Sequence, residues 1–483
     1  MATDRLLVTV CVLAPLLGSV LLPAVGRSSE RARDVLALLL VVTSAACAAA
    51  LLPLVVHGGT ATVTARGLAV FHADGLAVFM ALVSSVVGAV IVFYSWGYVA
   101  PYPHRDEYYF MVVLFLGAMM GLVFARNLIF LYVFWEITAL VCWRLIGFFR
   151  EREYVLRADK AFLVTVFGAV VMLVGFIKVH ATTGTFDLGR LSGARVPDAA
   201  LALMLVGILS KSATLPLHTW LPDAGVAPSP VTALLHAAVL VKIGVYVFAR
   251  LFVATFAVDA LWHELVPWIA AASALVSAGA ALVATDMKRI IAYSTISQLG
   301  FIFLGLAVDS RIALGGGLLY ILMHSVAKGG LFLCAGVVEH QTHCKDITKL
   351  GGLARTMPVT AVAFAACAFS VMGIPPFGGF FAKYLVIAGA VDGGQVAVAL
   401  TFVFGSFLTI LYLLRLFSAI FLGEPKAASL HAAHEGTRGM VASVALLAAM
   451  SLAGGLFVKY PVEIARATVQ GIDHRAAVAR SSP

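Results

Sequence analysis

The sequence predicts an all-α polytopic membrane protein of about fourteen transmembrane helices, and three observations carry that expectation. Of its 483 residues, 62% are apolar and 12% charged, with a mean hydropathy of +1.02. Soluble domains carry about 25% charged residues, so an ordinary soluble protein is excluded. Apolar segments of roughly 20 residues recur along the whole length, each long enough to cross a hydrocarbon core of about 30 Å. Two of these segments are interrupted by proline and glycine, and they stand five spans apart, the pattern left by two inverted repeats.

In chain order the expected spans are 6–25, 35–56, 71–98, 108–125, 127–149, 157–179, 200–221, 229–253, 262–285, 290–308, 312–338, 357–390, 395–422 and 438–458. The first is longer than a signal-peptide core of about 7–15 residues and lacks a clear cleavage pattern, so it reads as a retained span. Span 7 carries Lys211 and breaks at Pro216. Span 12 is too long for one plain helix and contains Gly373, Pro375, Pro376, Gly378 and Gly379, so two half-helices around a break are expected. The chain then divides, within one membrane domain, into helices 1–3 (1–107), repeat one with helices 4–8 (108–253), repeat two with helices 9–13 (254–422), and helix 14 with a basic tail (423–483).

The formal charge of +9 sits largely in short loops beside spans, where it speaks of topology rather than nucleic acid. Loops after odd-numbered spans hold Arg27, Arg31, Arg33, Arg105, Arg150, Arg152, Arg157, Lys288, Arg289, Lys345, Lys349, Arg355, Lys426 and Arg438. Loops after even-numbered spans hold only Arg66, Arg126, Arg190, Arg195, Arg250 and Arg311. The positive-inside rule puts both termini outside, although the basic tail (Lys459, Arg466, Arg475, Arg480) argues the other way.

Ionisable residues inside spans are the functional candidates. A charge at the bilayer centre costs about 2.5–3.5 kcal/mol on insertion scales, so such residues are rare and mark pathways. Here they are Glu136, Lys211, His236, Lys242, His324, Lys328 and Lys383. His324 and Lys328 share a helix face about 6 Å apart along the axis, and Tyr320 extends that stripe. A desolvated lysine loses basicity and a nearby carboxylate restores it, while histidine titrates near neutrality. Lysines strung along the midplane are poor metal ligands and good stations for a proton. Structural alternatives stand beside each: Glu136–Lys211 as a helix-locking pair, His236 or His324 as satisfied core histidines, and Lys328 snorkelling to the interface. Five of the six cysteines lie in apolar segments and no CxxC occurs, so neither a disulfide framework nor an iron–sulfur site is expected. His340, His343 and Cys344 have metal-like spacing without a fourth ligand. Arg144 in span 5 has no legible role.

The stretch LSKSATLPLHTWLPDAGVAPSPVTALLHAAVLVKIGVYVFAR, together with FWEITALVCWRLIGFF, KRIIAYSTISQLGFI, LLYILMHSVAKGGLFL and MGIPPFGGFFAKY, resembles the proton-conducting antiporter-like membrane subunits. These occur in respiratory complex I, in Mrp sodium/proton antiporters, and in energy-converting hydrogenases and formate hydrogenlyases. The resemblance covers about residues 100–420. It implies fourteen helices in inverted five-helix repeats with discontinuous helices 7 and 12. It also implies a proton relay in which Glu136 and Lys211 form the helix-5/helix-7 pair. Lys242 would be the central helix-8 lysine with His236 associated, His324 and Lys328 the helix-11 relay, and Lys383 the terminal lysine. Tyr320 stands where some members carry a second helix-11 histidine. The implied chain has no cofactor or metal of its own, sits in the inner (plasma) membrane with other membrane subunits, and moves protons, sodium remaining open. The alternatives are a haem- or quinone-binding redox subunit, a stand-alone transporter and a partner of inorganic-carbon uptake.

Overall fold

Within hydrocarbon every backbone polar group has to be satisfied inside the protein, which leaves helices as the spanning element for these apolar segments. The computed structural model of the chain describes residues 2–426, 430 and 432–481, with side chains as far as residue 472. The helices are α1 (Ala2–Ser28), α2 (Glu30–Val56), α3 (Gly75–Tyr98), α4 (Arg105–Phe124), α5 (Leu128–Ile146), α6 (Arg152–Thr183) and α7 (Asp198–Lys211). They continue with α8 (Ser229–Val253), α9 (Ala260–Val283), α10 (Met287–Ala307), α11 (Arg311–Thr342), α12 (Pro358–Met372), α13 (Gly378–Asp392), α14 (Val396–Phe421), α15 (Arg438–Leu456) and α16 (Lys459–Ser481). Among the described residues, twelve of them are long and apolar enough to cross a membrane.

Polar residues at the turns start these helices where the sequence places them. Ser29, Asp74, Asn127, Asp286 and Ser310 each accept a hydrogen bond from a backbone N–H in the first turn of the helix that follows. Inside the bundle, every residue from Ala224 to Phe252 is buried, so α8 is the central element. Its neighbours α10 and α11 are nearly as enclosed. The periphery is apolar and exposed instead: Leu163, Phe167 and Val170 on α6, and Leu400, Phe404 and Phe407 on α14, form the surface that lipid covers.

Both expected interruptions are present. Span 7 stops being helical after Lys211, passes Ala213 at φ +49° and continues through an irregular segment with a one-turn helix at Trp220–Asp223. Span 12 is two helices, α12 and α13, separated by Gly373 at φ +83°. That left-handed backbone is open to glycine and costly for other residues.

Four details differ from expectation. To the all-α architecture, which holds, one short element is added: β1 (Ala61–Ala65) and β2 (Leu68–Ala73) form an antiparallel hairpin, closed by Arg66 and Gly67 at φ +50° and +81°. Two successive positive φ values match the right-handed twist of the strands. Residues 71–73, expected to open span 3, are therefore strand, and Asp74 caps a helix that begins at Gly75. Span 8 is not a uniform α-helix, because π-helical turns occupy Leu234–Ala238 and Ala249–Val253. Finally, Arg33, Arg250 and Lys288, counted among loop charges, are buried. Arg33 donates to Asp106 at 2.7 Å and pins α2 to α4. The tail carrying Lys459 and Arg466 is helix α16, and the side chains of Arg475 and Arg480 lie outside the described residues.

Candidate functional site

The intramembrane charges are delivered to the bundle interior by the breaks and by α8. Lys211 is the last residue of α7, fully buried, and its ammonium donates to the Trp135 carbonyl at 3.2 Å while lying 5.2 Å from the centre of the Trp135 ring. Glu136 is the next residue on α5 and is half-buried. Among the described residues it makes no ion pair with Lys211, and its Oε1 has no protein hydrogen-bond partner. The expected Glu136–Lys211 pair is thus no salt bridge in this structure: Lys211 donates to the backbone of the residue just before Glu136. Just past Lys211, Ser212 packs onto α8 at Gly244. A Cβ at that glycine would come within 2.7 Å of the Ile208 carbonyl oxygen, so glycine there sets the close approach of α7 and α8.

Lys242 and His324 meet. The ammonium of Lys242 on α8 lies 2.6 Å from Nδ1 of His324 on α11, and both residues are fully buried. Nε2 of His324 has no protein partner. His236 lies in the first π-turn of α8 with neither ring nitrogen partnered, its ring 4.4 Å from that of Phe332. It makes no hydrogen bond to Lys242.

Lys328, one turn below His324 on α11, does not snorkel. It is fully buried and donates to the Ile291 carbonyl at 3.2 Å and to Ser294 Oγ at 2.5 Å. From Ser294 a chain of hydroxyls and one amide continues. Ser294 Oγ lies 2.8 Å from Tyr412 OH, Gln298 Nε2 donates to Tyr412 OH at 3.3 Å and to Thr409 Oγ1 at 3.1 Å, and Tyr320 OH donates to Gln298 Oε1. Lys383 on α13 arrives at the same Tyr320, its ammonium 6.0 Å from that ring and 4.4 Å from the Phe301 ring, with no hydrogen-bond partner. The stem of Lys383 lies across the break: a Cβ on Gly373 would sit 3.1 Å from its Cδ.

The structure therefore joins Lys242 to His324 directly, and Lys328 to Tyr320 through Ser294, Tyr412 and Gln298, with the Lys383 ammonium standing near the Tyr320 ring but outside the hydrogen-bonded chain. Among the described residues, Lys211, Glu136 and His236 make no hydrogen bond or ion pair to the others. Sequence reading missed Ser294, Gln298, Thr409 and Tyr412, since uncharged polar residues at helical spacing give no signal of their own. It also counted Lys288 among the loop charges. Instead its ammonium donates to the Ala227 carbonyl at 2.8 Å and to Glu339 Oε2 at 2.9 Å, and Lys345 holds Glu339 Oε1 at 3.0 Å. Burial works against the Lys345 charge, but Glu339 beside it outweighs that and holds this ammonium above the usual lysine range. Arg144 finds its role at the same end, paired with Glu107 on α4, which also receives Arg150 at 2.8 Å.

Comparison with known proteins follows the same outline. Residues 125–409 match the sequence model of the family described as NADH:quinone oxidoreductase/Mrp antiporter, transmembrane. One of the Na(+)/H(+) antiporter subunits of Alkalihalophilus pseudofirmus is 35% identical over 421 residues, covering 80% of this chain and 52% of that protein. Its counterpart among the Na(+)/H(+) antiporter subunits of Staphylococcus aureus is 34% identical over 418 residues, again with 80% and 52% covered. The chain thus spans about half the length of these relatives. Among solved structures, a chain of the Mrp complex from Dietzia sp. superposes with a TM-score of 0.92 at 26% identity, over 99% of each chain. A chain of an archaeal membrane-bound sulfane sulfur reductase superposes at 0.90 with 22% identity, over 98% of this chain and 99% of that one, and shows the fold alone.

Proposed function

Because the chain belongs to the transmembrane family of NADH:quinone oxidoreductases and Mrp antiporters, we propose that it is a proton-translocating subunit of a multisubunit complex in the plasma membrane, of the type that exchanges sodium for protons. The observation that carries this reading is the Lys242–His324 contact of 2.6 Å at the centre of the bundle. An ammonium at that distance from an imidazole nitrogen can hand over its proton, leaving a neutral amine and an imidazolium whose Nε2–H becomes the next donor. Buried polar atoms bond to protein or to ordered water. Buried atoms without protein partners occur elsewhere in the bundle too, and those on or beside the candidate residues (Glu136 Oε1, Ser212 Oγ, both His236 nitrogens, His324 Nε2 and Lys383 Nζ) are the stations at which water would complete the route.

On this reading Lys211 is the loading station and Glu136 its bias. With the amine resting on the Trp135 carbonyl, a shift of Glu136 toward it stabilises the ammonium and a shift away releases the proton. Lys242 and His324 pass the charge on, Lys328 and the hydroxyls of Ser294 and Tyr412 carry it toward Lys383 with water crossing the last gap, and the Gln298 amide, which only donates to Tyr412, positions the two phenols. Spans 4–8 and 9–13 act as the two inverted repeats, each with one broken helix at its site. A charge moved across 100 mV requires about 2.3 kcal/mol, supplied by partner subunits or by the opposing sodium gradient. The test uses the assembled complex in inverted vesicles, with sodium-driven proton movement read by a pH-sensitive dye. Lys242→Ala and Glu136→Gln should each lower the rate at least tenfold at unchanged complex abundance. Full transport in well-assembled variants would overturn the assignment.

A further inference from the structure

Beyond the relay, α8 carries a second polar feature. From Leu240 to Phe252 all residues are apolar or glycine except Lys242, Tyr246 and Arg250. Spaced four apart, these three share one helix face and run about 12 Å along the axis, from the central lysine to the end of the helix bearing the β-hairpin. Tyr246 OH donates to the Val123 carbonyl at 2.5 Å and accepts from Arg250 Nε at 3.0 Å. The Arg250 guanidinium lies in the second π-turn and grips Asp74 in a fork, Nη1 to Oδ2 at 2.5 Å and Nη2 to Oδ1 at 2.8 Å. On its other side Asp74, with Gly75 and Leu76, lines a cavity of about 550 Å³ that opens between exposed His57, Thr60 and Gln470.

We propose that this cavity is an aqueous port through which protons exchange between Lys242 and the face of the membrane carrying the hairpin, and that the Asp74–Arg250 pair is its gate. The inference rests on the proton-translocating reading above. The physical argument is one of order. A cation entering the cavity meets a carboxylate first and a fixed guanidinium directly behind it. Charged groups lining a pore set its barrier, and a guanidinium there repels protons and other cations. As glue alone the pair is a poor choice, because desolvating two ions offsets most of their attraction and an apolar pair of similar volume often packs as stably. A fork also holds two defined geometries, gripped and released. Released from Asp74, Arg250 still has the Tyr246 hydroxyl as a partner, and the phenol is then the group between the cavity and Lys242.

The experiment reads water access rather than transport. Single cysteines at Thr60, Ala254 and Tyr246 in the full complex are treated, in membranes, with a charged, membrane-impermeant methanethiosulfonate. Thr60→Cys and Ala254→Cys, at the cavity wall, should react readily, and Tyr246→Cys, behind the pair, at least tenfold more slowly. Adding Asp74→Asn or Arg250→Lys, either of which removes the fork, should raise the Tyr246→Cys rate at least tenfold, while Asp74→Glu should not. An unreactive Ala254→Cys, or a Tyr246→Cys rate indifferent to both fork variants, overturns the proposal. Having two fork variants keeps the test decisive where one fails to assemble. If the relay reading is wrong but the gate is right, this labelling pattern persists while Lys242→Ala leaves transport intact; the converse failure gives the opposite pair of results.

Discussion

The charged residues of the site are legible one at a time, because a lysine, histidine or glutamate inside an apolar run has few reasons to be there. Their connections are not. Lys328 reaches Tyr320 through Ser294, Tyr412 and Gln298, which lie up to 118 residues apart in the chain. A neutral hydrogen bond in such a network is worth about 1 kcal/mol, or about fivefold in a rate that depends on it. Tyr412→Phe keeps the ring and removes the hydroxyl, so sodium-driven proton movement should fall about fivefold, with little change in complex abundance. An unchanged rate would mean that the hydroxyl chain is packing rather than conduit. Lys288 escapes sequence reading for a related reason. Beside Arg289 and Asp286 it looks like a loop charge, and only its partner Glu339, 51 residues on, explains its burial.

At the scale of elements, the two interruptions are written in proline and glycine, and both appear where the sequence puts them. The hairpin is hidden because its second strand, Leu68–Ala73, is apolar and runs straight into α3, so periodicity merges the two. The π-turns of α8 have no composition signature, since the same residues suit an α-helix. Gly373 offers the sharpest test at this scale. Its φ of +83° is strained for any side chain, and an added methyl would also press on the Lys383 stem. Gly373→Ala should cost about 1–3 kcal/mol, read as a lowered melting temperature of the detergent-solubilised complex. A neutral result would show that the elbow relaxes without cost.

For the whole molecule, the layering follows from one rule: apolar faces outward to lipid, charges inward around α8. What composition alone leaves open is which end faces the cytoplasm, because Arg33, Arg250 and Lys288 count toward the loop charge yet are buried. Leaving them out removes two basic residues from the loops after odd-numbered spans and one from the others, and the excess keeps its sign. The hairpin end is therefore expected outside. A cysteine at Gly58 should be labelled by an impermeant reagent in intact cells, and one at Lys426 in inverted vesicles alone. The reverse pattern would turn the bundle over.

The stem of Lys383 resting on the elbow at Gly373 ties shape to charge. Tilting one half-helix on the other drags the amine with it, and adding or removing a proton at that amine changes the force on the hinge. A mechanical push from a neighbouring protein and an electrical event in the interior would then be two descriptions of a single displacement.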